Sequence, residues 1–244
     1  PDGELAVQSE MIFVSDTSII PAYIGTYLFK SPRHFKGTGA DWTIPSGTTH
    51  IYVRTSGSGS TGSITNNSYT DGPGGAGGYS TGTGFSVGTG SYTVTVGGGG
   101  NGGSGNPVGP GNTGSNSVFS TITSAGGGSG GGAGGPGGNG GSGGGGGQDA
   151  GNAGSGNTPP TSPPQGNNGG VTQRNGYGGG GGGGGAGQQG FNATSATPVI
   201  ARGGQGGSGT ANSISGSSVT YAGGGGCLLY TSPSPRDGLL ARMP

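Results

Sequence analysis

Residues 131–144 read GGAGGPGGNGGSGG, and this pattern decides what kind of fold the chain can adopt. Every third residue is not glycine, and these residues are Ala133, Pro136, Asn139 and Ser142. Three residues per turn is the period of the polyproline-II conformation. The pattern therefore predicts that the four side chains lie on one edge of an extended helix and that its other two edges carry none.

Such a helix is not stable alone. It makes no internal hydrogen bonds, while fixing each backbone residue costs about 1–2 kcal/mol. Side-by-side packing offsets that cost, because bare edges let backbones approach and each N–H can bond to a neighbouring carbonyl for about 1 kcal/mol net. Two bare edges and few prolines favour a packed bundle over a collagen triple helix. A low-complexity linker is the alternative that composition allows.

Composition excludes several classes of protein. The 244 residues include 72 glycines and 16 prolines, and only 25% are hydrophobic. Eight acidic and eight basic residues cancel, so the chain lacks the basic stripe that nucleic-acid binding needs. We expect no nucleic-acid partner. Asp16 and Pro21 interrupt the apolar N-terminal run, which argues against membrane insertion.

Short β-prone stretches separate the glycine tracts. Several enter glycine directly, as in TVTVGGGG, TITSAGGG and VTYAGGGG, which makes strand-then-glycine an approximate internal repeat. Residues 85–87 and 91–96 are predicted to pair as a hairpin around residues 88–90. The predicted fold is all-β, a small β-sandwich with packed polyglycine-II helices.

Three regions are expected along the chain. Residues 1–36 are interpreted as the end of an upstream β-rich region, and residues 37–226 as a glycine-rich domain truncated at its C-terminal end. In residues 227–244, CLLYTSPSPRD reads as the translation of a transposase-type sequencing adapter, so this tail is interpreted as non-native. The chain is then a fragment, and Cys227 carries no information about redox compartment.

No catalytic site, metal site or cofactor is predicted. His34 and His50 are sixteen residues apart without a cysteine or carboxylate at ligand spacing. No acidic pair suits general acid–base chemistry, and GxGxxG occurs by chance in a chain this rich in glycine. We expect a protein that is not an enzyme.

The stretch from residue 148 to residue 177 loses the three-residue phase and contains PPTSPPQ. It is interpreted either as a disordered surface excursion or as a receptor-contact loop on a rigid scaffold. In the second interpretation the polar and stacking groups are Asn157, Thr158, Arg174 and Tyr177.

Four motifs follow one another in a fixed order, and they are WTIP, FSVGTGSYTVTVGGGGNGG, GSNSVFSTITSAGGGSGGG and SISGSSVTYAGGGG. In this order of motifs, residues 40–226 resemble the glycine-rich domain of phage tail and tail-fibre proteins. The Ser/Thr-rich stretch after the THIYVRT strand departs from the usual glycine-rich sequence there, so the first helix is expected to be short or absent. The resemblance implies an extracellular virion protein of structural or host-recognition type. Its implied partners are a bacterial surface receptor (a glycan or an outer-membrane protein), other tail proteins and two further copies in a homotrimer.

Two other functions stay open. A secreted or cell-surface bacterial glycine-rich protein or adhesin would share this composition. An ice-binding polyproline-II bundle would need a flat and regular Thr, Ala or Ser edge, whereas the non-glycine positions here are more varied.

Overall fold

The computed structural model describes residues 11–16, 32–35, 40–43, 50–56, 72–88, 90–103, 109–148, 151–172, 179–197, 200–213 and 217–227. The described residues contain no helix and form short antiparallel strands. The prediction of the all-β class is therefore confirmed. Two four-stranded sheets and two isolated hairpins hold these strands.

The first sheet has the order β2-β1-β4-β5, and it joins strands from both sides of the boundary predicted at residue 36. Its strands are β1 (Met11–Asp16), β2 (Pro32–Phe35), β4 (His50–Ser56) and β5 (Tyr79–Ser86). The second sheet has the order β3-β6-β7-β8. Its strands are β3 (Ala40–Thr43), β6 (Ser91–Thr95), β7 (Ser117–Phe119) and β8 (Ile122–Ser124). The sheets touch where β4 meets β7 and β8 and where β5 meets β8.

The two hairpins pair β9 (Thr194–Thr197) with β10 (Ile200–Arg202) and β11 (Thr210–Asn212) with β12 (Val219–Tyr221). A small apolar core lies in the second sheet. Val94 and Phe119 are opposite each other in its register, and both are fully buried. The ring of Tyr92 stacks on Phe119 at 5.6 Å between centroids.

The predicted hairpin of residues 85–87 and 91–96 is wrong. β5 pairs with β4 in the first sheet, whereas β6 pairs with β3 and β7 in the second. The short connection between β5 and β6 therefore crosses from one sheet to the other. A Gly-X-Gly turn between two β-prone runs does not determine which neighbours those runs find.

Most of the remaining described chain is extended but belongs to no strand. These extended segments are joined sideways by backbone hydrogen bonds at every third residue. The N–H groups of Gly72, Gly75 and Gly78 donate to the carbonyls of Gly131, Gly128 and Ala125, at 2.7–2.9 Å. The two segments run antiparallel, and the intervening residues face other neighbours.

Residues 142–147 form the centre of this network. Six other segments surround them, and these are 72–79, 125–132, 135–141, 151–157, 165–172 and 179–187. The N–H groups of Ser142, Gly143 and Gly144 donate to three different segments, and that of Gly145 returns to the first. Each carbonyl of residues 142–147 also accepts an N–H. No backbone polar group of this stretch is left unsatisfied, as burial requires.

The segment 179–187 is surrounded in the same way. It bonds to 72–79, 142–147, 165–172, 188–193, 203–209 and 222–227. The two longest glycine runs of the chain are 143–147 and 178–185, and their described residues lie in these two central segments. A Cβ built on Gly143, Gly144 or Gly182 would collide with the backbone of another segment. Glycine is therefore required at these three enclosed positions, whereas the side chain of Ser142 is accommodated at the start of the central segment.

The prediction that Ala133, Pro136, Asn139 and Ser142 share one edge is wrong in part. The chain turns at Ala133 and Gly134, where Gly134 has a φ of 70°, and it bends again at residues 140–142. Only Pro136 and Asn139 lie exposed in the same segment, whereas Ser142 is fully buried. The three-residue repeat continues through two positions at which the chain changes direction, and nothing in the repeat predicts those turns.

Candidate binding face and loop

Residues 157–165 form a compact loop that Asn157 closes. The Asn157 Oδ1 accepts hydrogen bonds from the Thr161 N–H at 3.0 Å, the Thr161 Oγ1 at 2.9 Å and the Gln165 N–H at 3.2 Å. Its Nδ2 donates to the Thr161 carbonyl at 3.3 Å. The residue has a φ of 50°, a conformation that asparagine adopts more readily than most residues. Asn157 therefore shapes the loop from within.

Gln165 fastens the loop to the network, and sequence reasoning missed it. Its side chain is only 1% exposed. The Oε1 accepts from the Ala125 N–H at 2.8 Å, and the Nε2 donates to the Pro159 carbonyl at 2.8 Å. Its main-chain carbonyl accepts from the Tyr79 N–H. A single glutamine after two prolines gives no signal of burial in the sequence.

Of the four predicted receptor contacts, the structure describes Asn157 and Thr158. Thr158 is half-buried beside Asn157, and its Oγ1 donates to the Gly156 carbonyl at 3.2 Å. Arg174 and Tyr177 lie outside the described residues. Thr172, on the N-terminal side of Arg174, donates its N–H to the carbonyl of Gly151, which is six residues from Asn157 along an extended segment. The excursion predicted for residues 148–177 is therefore divided, because 151–157 and 165–172 are segments of the network.

A regular polar surface covers one side of the network. Four neighbouring segments, 135–141, 151–157, 165–172 and 188–193, contribute to it, each with a pair of exposed side chains three residues apart. We call this surface the ladder face, and it consists of Pro136, Asn139, Asn152, Ser155, Asn168, Val171, Gln189 and Asn192. None of the eight is charged. In an extended segment, two side chains three residues apart stand about 9–10 Å apart.

Asparagines on the ladder face are held in fixed orientations. The Oδ1 atoms of Asn139, Asn168 and Asn192 accept the N–H groups of Ser155, Gly156 and Val171 in the next segment, at 2.8–3.0 Å. Because the partner is an N–H group, the accepting atom has to be the amide oxygen. Each of these side chains therefore offers its NH2 group to a ligand. The same bonds satisfy N–H groups at the surface of the network.

Two apolar side chains adjoin these amides. Phe191 is 47% exposed and Val171 is 37% exposed. Phe191 precedes Asn192, and its N–H donates to the Gln205 carbonyl while its own carbonyl accepts from Gly182. The backbone of Phe191 is thus fixed in the network although its ring is half in solvent.

A family model described as a glycine-rich domain matches residues 35–239. The chain belongs to this glycine-rich domain family. No similar curated protein and no similar solved structure was found. The matched range contains both central segments and the whole ladder face.

Residues beyond 227 provide the first test of how far the glycine-rich domain extends. The Cys227 N–H donates to the Gly204 carbonyl at 2.9 Å, and it is the last such bond in the described part of the chain. If residues 227–244 are adapter-derived, a chain ending at Cys227 will unfold at the same temperature as the full chain. Circular dichroism measures this. A lower midpoint for the shorter chain would show that the tail contributes to the domain.

The described residues contain neither a metal-binding cluster nor a helix that could span a membrane. These residues contain no group of three or more histidine, cysteine or acidic residues that could hold a metal ion. In the register of the first sheet, His34 is opposite Ile12 and His50 is opposite Asp16, four positions apart along β1. No helix among the described residues is long and apolar enough to cross a membrane.

Proposed function

We propose that this chain is a non-enzymatic structural or host-recognition protein of a phage tail or tail fibre. In this proposal the extended segments are polyglycine-II helices in hexagonal packing, and the two four-stranded sheets form a small β-sandwich at one end of them. The single observation that supports this architecture is the environment of residues 142–147. They are enclosed by six segments, and all of their N–H and C=O groups are bonded.

Lateral hydrogen bonding explains how so glycine-rich a chain can be rigid. Ordering each residue costs about 1–2 kcal/mol, and each bond returns about 1 kcal/mol net. A central segment uses both its donor and its acceptor at every residue, and it also gains contacts on all sides. A segment at the surface gains less. We therefore expect rigidity to decrease from residues 142–147 outward.

The proposed role follows from what this architecture can and cannot do. A bundle with no net charge and few apolar side chains can present its surface and its loops to a binding partner. It is less suited to enclosing a substrate. The resemblance to phage tail proteins supports an extracellular location on the virion, a bacterial surface receptor and other tail proteins as partners. Trimer formation belongs to the same proposal.

Hydrogen exchange tests the architecture. We expect the N–H groups of residues 143–147 and 181–185 to exchange slowest, by a factor of about a thousand or more relative to an unfolded chain. The N–H of Gly98, which lies in an exposed segment, should exchange faster. NMR on the full chain labelled at glycine measures both. Uniformly fast exchange would show that the glycine tracts are a linker.

Gene context tests the biological role, and it separates a phage protein from a bacterial surface protein. The intact reading frame has to be recovered together with its neighbours. Tail-fibre or baseplate genes beside it would support the proposal. An export or cell-wall-anchoring operon would contradict it and favour a bacterial adhesin.

A further inference from the structure

We propose that the ladder face, together with Phe191, binds a neutral polysaccharide. This inference rests on the proposed role in host recognition, and it assigns the contact to a flat side of the network instead of the predicted loop. Three observations carry it. These are the absence of charge from the face, the fixed asparagine amides and the exposed aromatic ring beside them.

The charge of the face limits the class of ligand. A nucleic acid, an acidic peptide or a sulfated polymer binds largely through its charges, and it needs basic side chains in return. All eight residues of the ladder face are uncharged. Neutral polysaccharides bind through many hydroxyl groups, which both donate and accept hydrogen bonds. Amide, hydroxyl and small apolar side chains match that chemistry.

The fixed amides lower the cost of binding. Immobilising a rotamer-rich side chain on association costs about 0.5–1.5 kcal/mol. Asn139, Asn168 and Asn192 have already lost that freedom, because their oxygens are bonded to the next segment. Their NH2 groups can therefore donate to sugar oxygens with little further ordering. The repeat of about 9–10 Å along each segment lets an extended polymer make several weak contacts at once.

Phe191 supplies an aromatic ring against which a sugar ring can pack. One face of a sugar ring presents C–H groups, which pack against an aromatic ring, while its hydroxyl groups reach the neighbouring amides. The Phe191 ring is 47% exposed, and its backbone is held on both sides by hydrogen bonds. Val171, whose N–H donates to the Asn192 Oδ1, is a second exposed apolar side chain, and it belongs to the ladder face.

Affinity electrophoresis of the full chain tests the inference. The gels contain a glucan, a mannan, a galactan or a polymer of N-acetylglucosamine, with a sulfated polymer as the charged comparison. We expect at least one neutral polymer, and not the sulfated one, to retard the chain. Phe191→Ala should weaken that retardation about three- to tenfold. Val219→Ala removes a comparably exposed apolar side chain (39%) from β12, off the ladder face, and it should change nothing.

Each other result overturns the inference. Binding to none of the neutral polymers, binding to the sulfated polymer alone, or an unchanged Phe191→Ala variant would each do so. Thermal hysteresis without polysaccharide retention would make ice the ligand of the face. Labelled chain applied to bacterial cells separates the two proposals. If Phe191→Ala binds cells as well as the parent does, recognition stands and lies elsewhere on the chain. Tail-fibre gene context with no polysaccharide binding likewise leaves the proposed function in place.

Discussion

Gly145→Ala is expected to lower the free energy of unfolding by about 3 kcal/mol. A Cβ at this position would collide with the carbonyl of Gly181 in the segment 179–187. The obstacle is backbone, so no side chain can rotate away to make room. Separating the segments would stretch the two bonds that join them, from the Gly181 N–H to the Gly146 carbonyl and from the Gly184 N–H to the Gly143 carbonyl. Denaturant unfolding followed by circular dichroism measures the change.

Gly98→Ala is the matched control. A Cβ at Gly98 has no atom within 4 Å, and the residue is exposed in an outer segment. Alanine there reduces the entropy of the unfolded chain, so we expect no loss of stability and a gain of up to about 1 kcal/mol. Equal effects of the two substitutions would contradict the proposal that the segments around Gly145 are closely packed.

Gln165→Ala is expected to cost about 3 kcal/mol of unfolding free energy. The substitution leaves the N–H of buried Ala125 without its acceptor and the Pro159 carbonyl without its donor. It also opens a cavity where the glutamine side chain was enclosed. The loss should appear in thermal unfolding and as faster exchange of the Ala125 N–H.

Gln205→Ala removes the same side chain from an exposed position, so it is the control for Gln165→Ala. We expect Gln205→Ala to change stability by less than about 0.5 kcal/mol. If the two substitutions have the same effect, the fastening of the loop at residues 157–165 contributes nothing to stability. Receptor binding by Asn157 and Thr158 would then be the remaining role to test for this loop.

Local sequence predicted the segments better than it predicted the sheets. Spacing of three residues indicated extended segments with side chains on one edge, and Pro136 with Asn139 follow that spacing at the surface. Asn152 with Ser155 and Asn168 with Val171 have the same spacing in the structure, although the sequence analysis interpreted their stretch as having lost it. β5 and β6 were predicted to pair because they are adjacent along the chain. Pairing depends on which strands reach the same sheet, and the residues between β5 and β6 carry no information about that.

For the candidate site, too, the sequence predicted local features and not contacts between residues distant in the chain. Proline and the lost phase predicted a single excursion or contact loop over residues 148–177, whereas the structure has, within that range, a break between two segments at residues 158–164. Composition did not show that 151–157 and 165–172, on either side of the break, rejoin the network. It also gave no sign that Gln165 is buried or that the asparagine oxygens accept bonds from neighbouring segments, because both depend on partners distant in the chain.

The sequence by itself determined the all-β class, the absence of net charge and the bare edges that let backbones approach closely. These properties follow from composition and from a three-residue spacing, which act locally. Only the tertiary structure decided which segments are enclosed, where the chain turns back and which side chains form the ladder face. Glycine allows a segment to have neighbours on every side, but the folded arrangement determines which neighbours those are.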